Sequence, residues 1–129
     1  RNNSRIGGNW DSTTTTDEAF LFWQHVRIAG FYAGATLETD VNYRPRNAAG
    51  GFLGISSTMQ MTAPTAMTGT YNICTGGILG KFAKQLDTQL DNGDTATGSV
   101  RAALESAPTT AIALAAMLDD QSYVVCMSF

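Results

Sequence analysis

The sequence predicts an α+β domain in which a helix near the start is followed by antiparallel strands and interrupted by a second helix. Three patterns carry this. Ala19, Phe22, Trp23 and Val26 recur at helical spacing, Ile78/Leu79, Phe82/Ala83, Leu86 and Leu90 form an apolar stripe of the same period, and the runs 69–75 and 122–128 alternate with a period of two. A chain of 129 residues supports one modest core, so residues 1–129 are expected to form a single domain.

Residues 1–14 are rich in Asn, Gly, Ser and Thr with a lone Trp10, which reads as a loop or tether outside the core. Thr15-Thr16-Asp17-Glu18 then has capping-box spacing, with Thr15 and Glu18 bonding each other's main chain. A helix of about four turns should follow, leaving Gln24 and Arg27 to solvent and ending with Gly30 in the left-handed position. Residues 31–47 read as a loop with a possible short strand. Gly51–Ser56 and Ser57–Thr62 both read as strand, the second with Met59 and Met61 on one face. After Pro64, Tyr71 and Ile73 share one face of a strand while Thr70, Asn72 and Cys74 share the other. The second helix is expected to run from Ile78 to a stop near Gly93, with Lys81, Lys84, Asp87 and Gln89 off its apolar face. Ser99–Leu104 reads as strand, Ala111–Leu118 fits either a helix or a buried strand, and Ser122–Ser128 reads as a strand whose Tyr123, Val125 and Met127 oppose Val124 and Cys126.

Composition narrows the function. A net charge of −3 argues against a surface built to coat nucleic-acid phosphates, and no specific nucleic-acid partner is predicted. Only 15% of residues are charged while hydroxyl and amide side chains abound, as in many secreted proteins. Cys74 and Cys126 could remain buried thiols, but neither lies in a CxxC or Cys/His cluster, and a structural disulfide of an oxidising compartment is the preferred reading. No run of eighteen apolar residues is present, and the start at Arg1 leads us to expect a removed upstream segment.

Catalytic chemistry finds little to use. His25 is the one histidine and lies mid-helix, and no GxSxG elbow, phosphate-binding glycine loop, HExxH or SxxK motif occurs. No catalytic residue or cofactor is therefore predicted, and the protein is not expected to be an enzyme. Asp87, Asp91 and Asp94, with Asn92, offer the hard oxygen ligands a calcium ion requires, but their spacing departs from the EF-hand order. A metal-free turn is preferred, in which Asp91 and Asn92 bond their own backbone and Gly93 caps the helix. Tyr43, Arg44 and Arg46 form a basic–aromatic cluster that could meet a partner, although solvated loop arginines explain the same residues. Phe20, Phe22 and Trp23 are read as core.

In order, these motifs resemble a known family. Glu18 followed by Phe22-Trp23-Gln24-His25-Val26-Arg27-Ile28-Ala29-Gly30, then Gly50-Gly51-Phe52-Leu53-Gly54-Ile55, then Leu86-Asp87 and Leu90-Asp91-Asn92-Gly93 with Thr97-Gly98-Ser99-Val100-Arg101, is similar to a group of type IV pilins and pseudopilins. The similarity spans about Asp17–Arg101, and Cys126 in the last strand agrees with it. The resemblance implies an antiparallel sheet packed on an N-terminal helix, with Cys74 and Cys126 closing the C-terminal region. It further implies a structural subunit of a bacterial pilus or pseudopilus, serving filament assembly, adhesion, motility or secretion. Such subunits are anchored in the inner membrane by a preceding apolar helix, polymerise with other pilins through that helix, and end in an extracellular fibre. Asp91-Asn92-Gly93 stands where the family has Asp-Asp-Gly, and Ala107–Leu118 has no counterpart, which leaves the topology of residues 105–122 open. The alternatives from other classes are a secreted, disulfide-stabilised binding module or adhesin outside any filament, and a small secreted hydrolase.

Overall fold

The computed structural model describes residues 5–129; the tether predicted for residues 1–14 falls partly outside this range. The architecture is α+β. Helix α1 spans Glu18–Ile28, strands β1 and β2 span Leu53–Ser56 and Asn72–Leu79, helix α2 spans Gly80–Leu90, and strands β3 and β4 span Val100–Leu104 and Ser122–Ser128. The four strands form one antiparallel sheet in the order β1-β2-β4-β3. The last strand of the chain is thus inserted between β2 and β3.

Strand β4 shows why the sheet is the middle layer. Its alternation sends Tyr123 and Val125 to one face, where they pack with Ala83, Val100, Ala102 and Met117. Val124 and Cys126 point to the other, against Trp10, Met61, Met67, Cys74, Ala103 and Ala111. A strand buried on both faces must be apolar at consecutive positions, and Tyr123-Val124-Val125-Cys126 is. The predicted opposition of these residues in β4 holds. Cys74 and Cys126 are directly opposed in the β2–β4 ladder, with Cα atoms 4.1 Å apart, and are joined in a disulfide.

Several local expectations are overturned by tertiary contacts. Thr15 and Glu18 form no capping box: Asp17 is the N-cap and makes no side-chain cap bond. Instead Glu18 Oε2 accepts the Gly7 N–H at 2.8 Å, and Asp17 Oδ2 accepts the Ser12 hydroxyl at 2.6 Å. The N-terminal segment folds back over the helix start and supplies partners a local cap would otherwise need. It is irregular but no mere tether, since Trp10 is in the core and the Ile6 carbonyl accepts from Ser57 N at 2.9 Å. Helix α1 has 11 residues, about three turns, not four. Its end is as predicted: Gly30 has φ +82°, with Gly30 N donating to Arg27 O and Phe31 N to Val26 O, the pair of bonds of a Schellman motif.

The buried side of α1 differs from the predicted stripe. Ala19, Phe20 and Arg27 are buried, while Phe22, Trp23 and Val26 are half-buried. Tyr43 sets this rotation. Its hydroxyl donates to Phe20 O at 2.6 Å and accepts from Gln24 N at 3.2 Å, and its ring lies 4.6 Å from that of Phe20. Arg27, expected in solvent, donates from Nη1 to the carbonyls of Ala35 and Tyr43, so a loop with few partners of its own is tied to the helix.

Residues Ser57–Thr62 are not a strand, because the buried side chain of Asn72 replaces the ladder. Its Nδ2 donates to the carbonyls of Ser56 and Thr58, both at 2.9 Å, and its Oδ1 accepts from Gln60 N at 3.1 Å. The chain peels away from the sheet there, yet Met59 and Met61 still meet the same core cluster. Ile78 and Leu79 belong to β2, not to the second helix, since they pair with Tyr123 and Ser122 beyond an irregularity at Gly76-Gly77. The segment 111–118 is neither helix nor strand: Ala111 bridges Ala103, and Leu114–Ala116 form one 3₁₀ turn.

Helix α2 lies on its small residues. Gly80, Ala83 and Asp87 are buried at i, i+3 and i+7, while Phe82 and Leu90 of the predicted apolar stripe are 52% and 58% exposed. Gly80 permits this approach, because a Cβ there would collide with the Leu118 carbonyl oxygen. Gly80→Ala is accordingly expected to lower stability by about 1–3 kcal/mol in urea denaturation, by forcing apart backbones that cannot both shift freely. The disulfide closes a loop of sequence separation 52, and Cys74→Ala/Cys126→Ala should lower stability by up to about 4 kcal/mol. A loss of only a few tenths of a kcal/mol in the same assay would show that the bond merely decorates a register fixed by packing.

Candidate functional site

The junction between α2 and β3 gathers the predicted acidic residues. Asp91 is the C-cap of α2, and its N–H donates to Asp87 O at 2.9 Å. Its carboxylate does not bond its own turn, as predicted, but reaches across the loop to accept Val100 N–H at 3.0 Å through Oδ2. Gly98, at φ +78°, makes room for it, since a Cβ there would overlap that carboxylate. Asn92 behaves as predicted, its Oδ1 accepting from Asp94 N at 3.0 Å, and Gly93 has a positive φ of +77°, but it does not cap the helix, whose C-cap is Asp91 two residues earlier. Asp94 Oδ1 accepts from Ala96 N at 3.1 Å, and Thr97 Oγ1 donates to Asp94 Oδ2 at 3.3 Å. The loop is pinned beneath by Thr95, fully buried, whose hydroxyl donates to Ile112 O at 2.7 Å.

Asp87 is the exception in this well-bonded turn. Predicted to face away from the helix's buried side, it is instead completely buried, and neither carboxylate oxygen has a hydrogen-bond partner. Its neighbour is the Asp91 carboxylate, another acceptor when ionised, so the two side chains hydrogen-bond only when a proton sits between them. Burial first, then Asp91, then Asp94, push its carboxyl up to about 6. Its place could have been found from spacing, because it continues the line of small residues Gly80 and Ala83. Among the described residues, no three His, Cys, Asp or Glu side chains gather as a ready-made metal cage.

The basic–aromatic cluster is built differently from the way its composition suggests. Tyr43 is buried at 1% exposure and is spent on holding α1, so it offers no face to a partner. Burial raises its phenol above the ordinary value. Arg44 and Arg46 both place their guanidinium groups over the Phe52 ring, at 3.7 and 4.2 Å from its centroid. Arg46 also donates to Gly50 O at 2.8 Å. Burial lowers the Arg44 guanidinium, an effect opposed by the nearby Asp11. The two arginines thus brace a turn. His25 is exposed on α1.

Among the described residues, large apolar side chains are left uncovered in several places. One is a groove along α2 lined by Ile78, Phe82, Leu86 and the loop Asn47–Ala49. Another is the segment from the end of α1 onward, in which Ile28, Phe31, Leu37 and Val41 are each at least 69% exposed. Among the described residues no helix is long and apolar enough to cross a membrane.

Comparison of the chain with protein-family models, with curated proteins and with solved structures finds no match.

The raised carboxyl of Asp87 makes stability pH-dependent with a definite sign. A proton bound more tightly in the folded than in the unfolded state stabilises fully below the ordinary value of 3.8, and that contribution is lost as pH rises through about 6. In chelator-treated buffer, Asp87→Asn should remove this fall. Urea denaturation from pH 4 to 7 reads the difference between the two slopes, and parallel profiles would contradict it.

Proposed function

We propose that this domain is the globular head of a structural subunit in a type IV pilus or related pseudopilus. The observation that carries the reading is the ordered series from Glu18 through Phe22–Gly30, Gly50–Ile55, Leu86–Gly93 and Thr97–Arg101, which resembles that family in sequence. An α+β domain with an antiparallel sheet and a disulfide from β2 to the final strand is compatible with it. In this reading the domain presents surfaces and turns over no substrate. Its partners are further pilin subunits, joined through an apolar helix preceding the domain, which also holds the subunit in the inner membrane before assembly into an extracellular fibre.

The uncovered apolar areas beside α2 and after α1 support an assembling role, because soluble monomers rarely leave large aromatic and aliphatic side chains this exposed in patches. The disulfide supports a role outside the cytosol. A stapled C-terminal strand at the centre of the sheet gives such a head a rigid frame.

An antibody against this domain should decorate surface filaments by electron microscopy, and sheared filaments should contain the protein. The reading fails if the protein is released as a monomer after ordinary signal-peptide cleavage and no filament fraction contains it. That outcome would favour a free binding module.

A further inference from the structure

We propose that Asn92 is a covalent modification site: in the folded protein its side-chain amide closes on the Gly93 nitrogen, loses ammonia and becomes an aspartate or isoaspartate. Asn92-Gly93 is the one Asn-Gly pair in the chain. A main-chain nitrogen reaches the preceding side-chain amide most readily when no Cβ stands beside it, and only glycine offers that. Asn92 is exposed, so solvent base and water have access to the amide. The Gly93 N–H donates to no group among the described residues, and a Cβ built at Gly93 meets nothing within 4 Å. The nucleophile is therefore neither engaged elsewhere nor screened by neighbours.

The turn presents the amide to that nitrogen. Asn92 Oδ1 accepts the Asp94 N–H at 3.0 Å, which closes a ring containing both Asn92 Cγ and Gly93 N and draws electrons from the carbon under attack. Asn92 Nδ2 donates to Thr97 Oγ1 at 2.9 Å and fixes the plane of the amide. The step balances with water alone. A hydroxide ion takes the Gly93 amide proton, the nitrogen bonds to Asn92 Cγ, and the Cγ–Nδ2 bond breaks as Nδ2 takes a proton from water and leaves as ammonia. Water then opens the cyclic imide. Breaking the bond from Gly93 N to Cγ gives aspartate, whereas breaking its bond to the Asn92 main-chain carbonyl gives isoaspartate, with the main chain rerouted through Cγ. Either product adds a negative charge in a loop that already holds Asp91 and Asp94, and removes the amide donor to Thr97.

The test incubates the folded, oxidised chain in mildly alkaline buffer and follows each asparagine by peptide mapping with mass spectrometry. Asn92 should be lost, with the mass gain of an amide-to-acid exchange and with isoaspartate at that position. Asn9 and Asn42, also exposed but followed by Trp10 and Tyr43, should persist through the same incubation. Loss should quicken as pH rises, because base removes the proton of the attacking nitrogen, and Gly93→Ala should lose most of the reaction. That variant places a side chain at φ +77°, so a second comparison uses the unmodified chain, folded and in urea. Loss of Asn92 only in urea would show that the turn protects the amide and would overturn the proposal. Acid formed at Asn92 without isoaspartate, which marks direct hydrolysis, also overturns it, as does equal loss at Asn9 and Asn42. None of these outcomes depends on whether the protein forms filaments.

Discussion

The pairing of β2 with β4 is the contact on which the other layers are built. β4 ends the chain yet sits in the interior of the sheet, with β2 on one side and β3 on the other. Its register decides which residues reach each core: a slip of one position would send Tyr123 and Val125 to the face now holding Cys126 and Val124. The Cys74–Cys126 bond removes that freedom at one of the directly opposed pairs of the two strands. A chain of this size, with a core divided into two thin clusters, has little other means of fixing the register of a strand buried on both sides.

Two covers follow from a sheet with two apolar faces. One face is closed by irregular chain: the segment around Trp10 and the methionine loop, held by the Asn72 side chain where a ladder is missing. The other is closed by α2, where Gly80 passes tightly against the Leu118 carbonyl and Ala83 packs in the cluster of the sheet face. That close approach carries Asp87 inward at the next position on the same line. The buried carboxylate is thus a consequence of how α2 docks. The same docking pushes the large apolar residues Phe82 and Leu90 of α2 to the rim.

Much of this was legible in the sequence where a local pattern and the tertiary structure agree. Tyr123, Val125 and Met127 opposing Val124 and Cys126, the positive-φ Gly30 after α1, and the Asn92-Gly93 turn are each dictated by neighbours in the chain. Other features are set by distant partners. Ile78 and Leu79 continue the stripe of α2 but are claimed by β4; Ser57–Thr62 alternates like a strand but faces the amide of Asn72 instead of a neighbour's backbone. Arg27 and Asp87 look solvated because charge normally is, and only the carbonyls of Ala35 and Tyr43 in one case, and the small face of a helix in the other, draw them inside. Tyr43 reads as a partner-facing aromatic until its hydroxyl is seen to bond the main chain of α1.

Native-state amide hydrogen exchange tests most directly whether the β2–β4 pair is the unit on which the fold rests. In the oxidised protein, the ladder amides flanking Cys74 and Cys126 should be the slowest in the molecule and should exchange only through global unfolding, while those of α1 open at lower free energy. Slower exchange in α1, or β4 amides that open independently of β2, would contradict that dependence.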